Sequence, residues 1–456
     1  MKVAVVGAGP AGTRAVEVLV RAGHRPVWID EAAANGGRIY QRAVAGTTRD
    51  HRALYGTEAE KARAIHALGE RLREASDWRP GTLVWNIRPY LLDTLRDGAH
   101  ATIGFDRAIL CTGAMDRIVP IPGWTLPGVF TLGGAQIALK AQGVSIGQRV
   151  AFIGTGALLW LVATQYAKAG AEVVLVLDTT PFATKARATL GLLRDPATFA
   201  KGLALVARLR LSGARVIEGG VPVAIEGAEA VEAVRVRDRA GREHRFECDA
   251  AAIGFGLKPE SQLADLAGVP FVFDETQRNW VPRQDGTGRT SVSGIYLAGD
   301  GAGIAGADAA ERAGARAAWA VLEDAGGSVD RAEIARLDRA LLRIPPFRAA
   351  LERAFPYPAG LAARVDDATI VCRCEAITAG ELRQAARGTH ATGGATEVNR
   401  AKAFTRVGMG RCQGRVCFPP AAEILAAALG CGIEQVGRLR GQPPVKPIPI
   451  LAQAAP

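Results

Sequence analysis

The sequence predicts an α/β protein with two Rossmann-like nucleotide-binding lobes, the second inserted in the first, followed by a small, mainly helical domain built around cysteines. Three observations predict it. A strand, a glycine turn and a helix open the chain; the same pattern returns at Arg149; and four of the seven cysteines fall in two close pairs between Cys372 and Cys417. Along the chain, the first lobe is expected to take residues 1–118 and 284–335 and the inserted lobe 119–283. A linker (336–368), the cysteine domain (369–432) and a Pro-rich extended tail (433–456) follow.

A length of 456 residues accommodates about three domains, each with its own core. With 48% hydrophobic and 22% charged residues, the composition is that of a globular protein and excludes the disordered class. The net charge is +11, but the basic residues are scattered instead of forming a run, which argues against a nucleic-acid partner. Complementary fields mainly speed encounter, so an acidic partner protein or carrier fits this charge better. No charged leader precedes Lys2–Val6 and no apolar run reaches the length of a bilayer span, so the expected location is cytoplasmic, with no membrane span. Cysteines in a reducing compartment do not form structural disulfides; clustered ones point to metal or redox chemistry.

Lys2–Val6 reads as an apolar strand, followed by Gly7-Ala8-Gly9-Pro10-Ala11-Gly12 and a helix with Ala15, Val18, Leu19 and Ala22 on one face. Gly7 permits the tight turn, Gly9 lets a pyrophosphate approach the backbone, and Gly12 lets the helix pack closely on the strand. The helix N-terminus, with Pro10 and Ala11, then faces the phosphates. A second strand, Pro26–Ile29, ends at Asp30, 23 residues after Gly7, where a carboxylate can accept a hydrogen bond from the adenosine ribose; Glu31 adjoins it. Farther on, Asn35-Gly36-Gly37-Arg38 offers flexible backbone near the phosphate end, and Ala108–Leu110 leads into Cys111-Thr112-Gly113-Ala114.

With Ile295–Asp300, these strings resemble the three separated signatures of FAD-binding pyridine nucleotide-disulfide reductase-like flavoproteins, over residues 1 to about 330. The resemblance implies bound FAD, with Asp300 after Gly299 on the ribityl chain and the Ala-rich helix after Gly306 aimed at the flavin. A helix N-terminus carries about half a positive charge, which suits a reduced flavin anion.

The second lobe repeats the pattern: strand Arg149–Ile153, Gly154-Thr155-Gly156-Ala157-Leu158-Leu159, then a helix. Two departures argue against an NAD(P)H site. Leu159 stands at the third glycine position, where its side chain should push helix and strand apart, and spacing places Leu177 level with Asp30, with Asp178 one residue later. A vestigial or adenine-nucleotide-binding lobe is the preferred reading, because a fold can outlive its ligand contacts. No CxxC dithiol accompanies either fingerprint, so disulfide exchange has no paired nucleophile, and Cys111 and Cys248 read as packing residues. No catalytic acid, base or nucleophile is identified.

The C-terminal region holds Cys372-Arg373-Cys374 and Cys412-Gln413-Gly414-Arg415-Val416-Cys417. Four thiolates from two loops suit an iron–sulfur cluster or zinc, and a CxC pair with a CxxxxC pair departs from the CxxC knuckles usual in four-cysteine zinc sites. An oxidised [2Fe-2S] centre with four thiolates carries a net charge near −2, which Arg373, Arg400, Lys402, Arg406, Arg411 and Arg415 are placed to offset. Thr378-Ala379-Gly380-Glu381 predicts a capping box opening one helix, and Pro419-Pro420 the start of another.

This stretch resembles the bacterioferritin-associated ferredoxin-like [2Fe-2S] domain, and the order of modules resembles the A or alpha subunits of opine oxidases. D-hydroxyproline and dye-linked proline dehydrogenases and hydrogen cyanide synthase have related subunits, and the string Gly408–Cys417 is the most specific match. The resemblance implies an electron-transfer subunit. A D-amino-acid oxidase-like flavin partner would oxidise a secondary amine, and some relatives add FMN at the subunit junction or a small third subunit. The alternative is a stand-alone NAD(P)H-dependent reductase of a ferredoxin-like carrier.

Overall fold

The computed structural model describes all residues except 48, 392–396, 450–452, 455 and 456, with backbone alone at 389–391 and 453–454. The end of the expected tail and one stretch of the cysteine domain therefore lie outside the described residues.

A five-stranded parallel sheet forms the first lobe, in the order Ile295–Leu297, Arg107–Leu110, Val3–Val6, Val27–Ile29, Asp77–Arg79. Its inner strands are apolar and buried on both faces, as a parallel sheet requires. Helices Pro10–Arg21 and Ala307–Asp324 pack together on one face, and their Ala15, Val16, Leu19, Ala317, Val321 and Leu322 share one core. A Cβ at Gly314 would stand 1.9 Å from the Ala11 oxygen, so only glycine lets the second helix lie so close to the start of the first.

The edge strand Ile295–Leu297 arrives only after the whole second lobe, which is thus an insertion. Its sheet is also parallel: Arg215–Glu218, Glu172–Asp178, Arg149–Thr155, Ala250–Phe255, Val129–Thr131. The outgoing and returning connections, Ala114–Asp116 and Leu257–Pro259, pair antiparallel with each other and form a two-stranded link between the lobes.

Residues 336–368, expected as a linker, are largely helical. Arg331–Leu341, Ile344–Ala354 and Ala359–Ala363 are helices, and Ala350 and Ala354 pack on Ala188 and Leu192 of the second lobe. Pro345 and Pro346 sit in the first turn of the middle helix, where a missing N–H costs nothing. The expected tail is also held by contacts within the chain. Arg438 donates to Asp265 at 2.7 Å, Lys446 pairs with Glu31, and the buried Val445 donates its N–H to the Trp85 oxygen at 3.0 Å. Its described part is thus tied to the two lobes of its own chain.

The cysteine domain has a small hairpin, Ile370–Cys372 with Ile377–Thr378, and helices Ala379–Ala391, Val398–Thr405 and Phe418–Leu429. The capping box forms as expected: the Glu381 N–H donates to Thr378 Oγ1 at 3.2 Å and the Thr378 N–H to Glu381 Oε2 at 2.8 Å. Pro419 and Pro420 lie in the first turn of the last of these helices.

Candidate functional site

The glycines of the first turn divide into two kinds. A Cβ on Gly7 would lie 2.2 Å from the Cys111 oxygen, and one on Gly12 1.8 Å from the Gly7 oxygen; both spaces are filled by the protein's own backbone. A Cβ on Gly9 would meet nothing nearer than the Gly37 Cα at 3.6 Å. Gly37 lies opposite, at φ +62°, with its own Cβ position 2.8 Å from the Gly9 Cα. The two glycines thus bring two bare stretches of backbone together at the N-terminus of helix Pro10–Arg21, which suits a pyrophosphate.

At the end of the next strand the Ala8 N–H donates to Asp30 Oδ2 at 2.5 Å and the Ala32 N–H to Oδ1 at 2.7 Å. Burial pushes this carboxyl up, and the two amide donors only partly offset that. Asp30 therefore also ties down the glycine turn. Glu31 points outward to Arg38 Nη2 at 3.1 Å and to Lys446; burial pushes it up, but Lys446 and Arg38 outweigh this and hold it below the usual carboxylate range.

Asp300 Oδ1 accepts from the Ala305 N–H at 2.8 Å and the Gly306 N–H at 2.9 Å, shaping the turn into helix Ala307–Asp324. Among the described residues Oδ2 has no donor and keeps its lone pairs for another partner. Thr112 and Gly113 lie beside it: a Cβ on Gly301 would be 2.5 Å from Thr112 Oγ1. Thr112 Oγ1 donates to the Glu260 carbonyl, and the Glu260 N–H donates to the Gly113 oxygen at 2.9 Å.

In the second lobe the strand register differs from what spacing alone predicts. A bulge between Val150 and Ala151 and their partners shifts the pairing by one residue, so Asp178, not Leu177, stands level with Gly154. The carboxylate is fully buried, and Trp160 Nε1 at 3.2 Å, the Thr180 N–H at 2.9 Å and Lys185 Nζ at 2.9 Å already occupy it. Lys185 also bonds Glu218 at 2.7 Å and lies beneath the Phe355 ring at 5.7 Å. Leu159 is buried in the core with Leu132, Val150 and Phe152.

The cysteine sulfurs converge from two loops. The Cys417 thiol lies against Cys372 and Cys412, and Cys412 against Cys374. Thiol donation from Cys417 pulls Cys372 down to about 6 and Cys412 to about 5, while Cys417 itself is pushed far up. Burial raises Cys374. Backbone N–H groups of Gly408, Glu375 and Cys374 face Cys372, and those of Val416 and Gly414 face Cys412. A Cβ on Gly410 would lie 2.3 Å from the Cys374 Cβ, so the two loops meet only because this residue is glycine. Among the described residues no three Cys, His, Asp or Glu side chains are gathered as around a single ion. Four thiolates from two loops suit a two-iron rhomb, two to each iron.

Most basic residues expected to offset the cluster are committed elsewhere. Arg415 donates to Glu260 at 2.6 and 3.3 Å and to the Val445 oxygen; Arg406 to Glu375 at 2.7 Å; and Lys402 to Gln442 at 3.1 Å. Arg373 lies over Trp124 and Arg400 over Phe404. Arg415 instead fastens the cysteine domain to the lobe connection, helped by Arg278 with the buried Glu423 at 2.6 and 2.8 Å. Cys111 and Cys248 are both buried. Nothing in the sequence marks Glu260, since one acid after Lys258-Pro259 carries no recognisable pattern.

Fold and sites together define a flavoprotein oxidoreductase with an iron–sulfur domain. The model of the pyridine nucleotide-disulphide oxidoreductases matches residues 1–314, and that of the BFD-like [2Fe-2S] binding domain matches 370–427. The A subunit of opine oxidase from Rhizobium meliloti is 35% identical over 98% of this chain and 86% of the relative. The HcnB subunit of hydrogen cyanide synthase from Pseudomonas protegens is 31% identical over 98% of this chain and 96% of the relative. The chain belongs to this family of opine oxidase A subunits and HcnB proteins, with FAD and a [2Fe-2S] cluster as its cofactors. L-Proline dehydrogenase from P. horikoshii shares the fold at a TM-score of 0.71 and 20% identity, covering 100% of this chain and 79% of that one. Among the described residues no helix is long and apolar enough to cross a membrane.

Proposed function

We propose that the chain is the electron-transfer subunit of a hetero-oligomeric amine or imino acid dehydrogenase of the opine, D-hydroxyproline, proline or glycine type. A D-amino-acid oxidase-like flavin subunit would oxidise the CH–NH bond, and this chain would receive the electrons. In this reading Gly7, Gly9, Pro10, Ala11, Gly12, Gly37 and Arg38 hold the FAD pyrophosphate, and Asp30 and Glu31 the adenosine ribose. Thr112 and Gly113 border the flavin, and Gly299 and Asp300 hold the ribityl chain. Cys372, Cys374, Cys412 and Cys417 ligate the cluster. FMN at the junction, a cytoplasmic location and a small third subunit belong to the same proposal.

The observation that carries it is the back-to-back build of the two sites. The backbone of Glu260 is bonded to Thr112 and Gly113, while its carboxylate is bonded to Arg415, between two of the cysteines. Bound FAD supplies hydride-accepting chemistry and the cluster one-electron chemistry; the chain's own residues hold the two sites at a fixed separation.

The test is separation of the subunits. Opine, D-proline, hydroxyproline, sarcosine and glycine are assayed with a dye acceptor against the complex and against this chain alone. Activity only in the complex is expected, and equal activity in the isolated chain would refute the division of labour. A second reading, NAD(P)H reduction, is favoured by Asp178 standing level with Gly154 but opposed by the partners that fill that carboxylate. Rapid mixing with NADH or NADPH decides it: prompt flavin bleaching supports the second reading.

A further inference from the structure

Lys258 lies in the strand Leu257–Pro259, the returning half of the link between the lobes, and is 9% exposed. Among the described residues its ammonium has no hydrogen bond or ion pair, and burial pushes it down to about 8, which the charge of Glu260 only partly offsets. The neighbouring Glu260 is held by Arg415 instead. Lys258 borders a crevice of about 70 Å³ whose other wall includes Gly414, Arg415 and Phe418 of the cysteine domain. Its Nζ stands 6.0 Å from the centre of the ring of Phe418, the residue that follows Cys417.

We infer that Lys258 supplies the buried positive charge that sets the reduction potential of the cluster held by Cys372, Cys374, Cys412 and Cys417. The physical reason is the charge balance. A four-thiolate [2Fe-2S] centre goes from −2 to −3 on accepting one electron, and a fixed cation in a low-dielectric crevice favours the more negative state. Lys402, Arg406 and Arg415 are hydrogen-bonded to Gln442, Glu375 and Glu260, and Arg411 is exposed to solvent, whereas the buried Lys258 ammonium has no hydrogen bond or ion pair among the described residues and stands only over the Phe418 ring, so its charge is available to the cysteine side. Lys258 is a positioning residue: it ligates nothing and acts on the cluster through space. A lysine supplied by the link between the lobes would make the potential depend on docking between domains.

The inference rests on the four-cysteine ligand assignment and is tested by redox titration of the full-length chain, following the spectrum of the reduced cluster, in wild type, Lys258→Met and Lys258→Arg. Iron, sulfide and FAD contents are measured in parallel. The expected result is a cluster at least tenfold harder to reduce in Lys258→Met, about 59 mV for a one-electron couple, with most of the shift restored in Lys258→Arg. Cluster loss in Lys258→Met but not in Lys258→Arg would support the same charge requirement at assembly. An unchanged potential in Lys258→Met, or equal cluster loss in both variants, would overturn the inference and leave the ligand assignment standing. Wild-type protein without iron and sulfide would overturn the ligand assignment first.

Discussion

Replacing Glu260 by alanine should loosen the cysteine domain from the lobes by far more than an ordinary surface charge change. Arg415 is 8% exposed, and its guanidinium is satisfied by both Glu260 oxygens, at 2.6 and 3.3 Å, and by the Val445 carbonyl. Removing the acid leaves a buried guanidinium without its counter-charge, which costs about 3–5 kcal/mol, or roughly 10²–10⁴-fold in the docking equilibrium. Amide hydrogen exchange localises the effect: protection should fall in helix Phe418–Leu429 and in the docked tail, and remain in the strand Val3–Val6. A double-mutant cycle separates the pair from its surroundings. Once Arg415 is Met, Glu260→Ala should cost about 1 kcal/mol or less, because no orphan charge remains. If the single change cost under about 1 kcal/mol, or if the two changes were additive, the reasoning about this clamp would be wrong.

Other outcomes follow from the same geometry. Gly9→Ala should leave the thermal midpoint of the FAD-free protein nearly unchanged, since its Cβ meets only a contact at 3.6 Å, yet lower FAD retention on gel filtration; Gly12→Ala, with a Cβ 1.8 Å from a backbone oxygen, should fail to fold and appear in the insoluble fraction. Cys374→Ser should abolish the cluster absorption while FAD stoichiometry stays at the wild-type value. Thr378→Ala should cost about 1 kcal/mol, read from denaturant midpoints, as the capping box at Glu381 opens. Lys185→Met leaves Asp178 buried without its cation and should destabilise the second lobe by several kcal/mol in denaturant titrations, with no gain of NADH binding by calorimetry.

The parts legible in the sequence are those fixed within one or two turns of chain. The glycine turn after Val6, the capping box at Thr378 and the proline start at Pro419 need no distant partner, and each is local chemistry. Pro345 and Pro346 show the limit of such signals. They read as a linker, yet prolines in a first helical turn fit a helix equally well, and Ala350 and Ala354 reveal that helix only once Ala188 and Leu192 are beside them. Asp178 was misplaced for another reason: a one-residue bulge moves a register without leaving a mark on composition. Glu260 and Lys258 were invisible because their meaning comes from Arg415 and Phe418, more than 150 residues away.

The late arrival of strand Ile295–Leu297 bears on how the chain is made. During translation the opening turn emerges first, but its sheet lacks its last strand until nearly 300 residues have left the ribosome, so the outer edge of Arg107–Leu110 waits unpaired meanwhile. The nascent lobe therefore stays open along that edge, and the turn at Gly7 and the loop at Asp300 come together only in chains complete past the insertion.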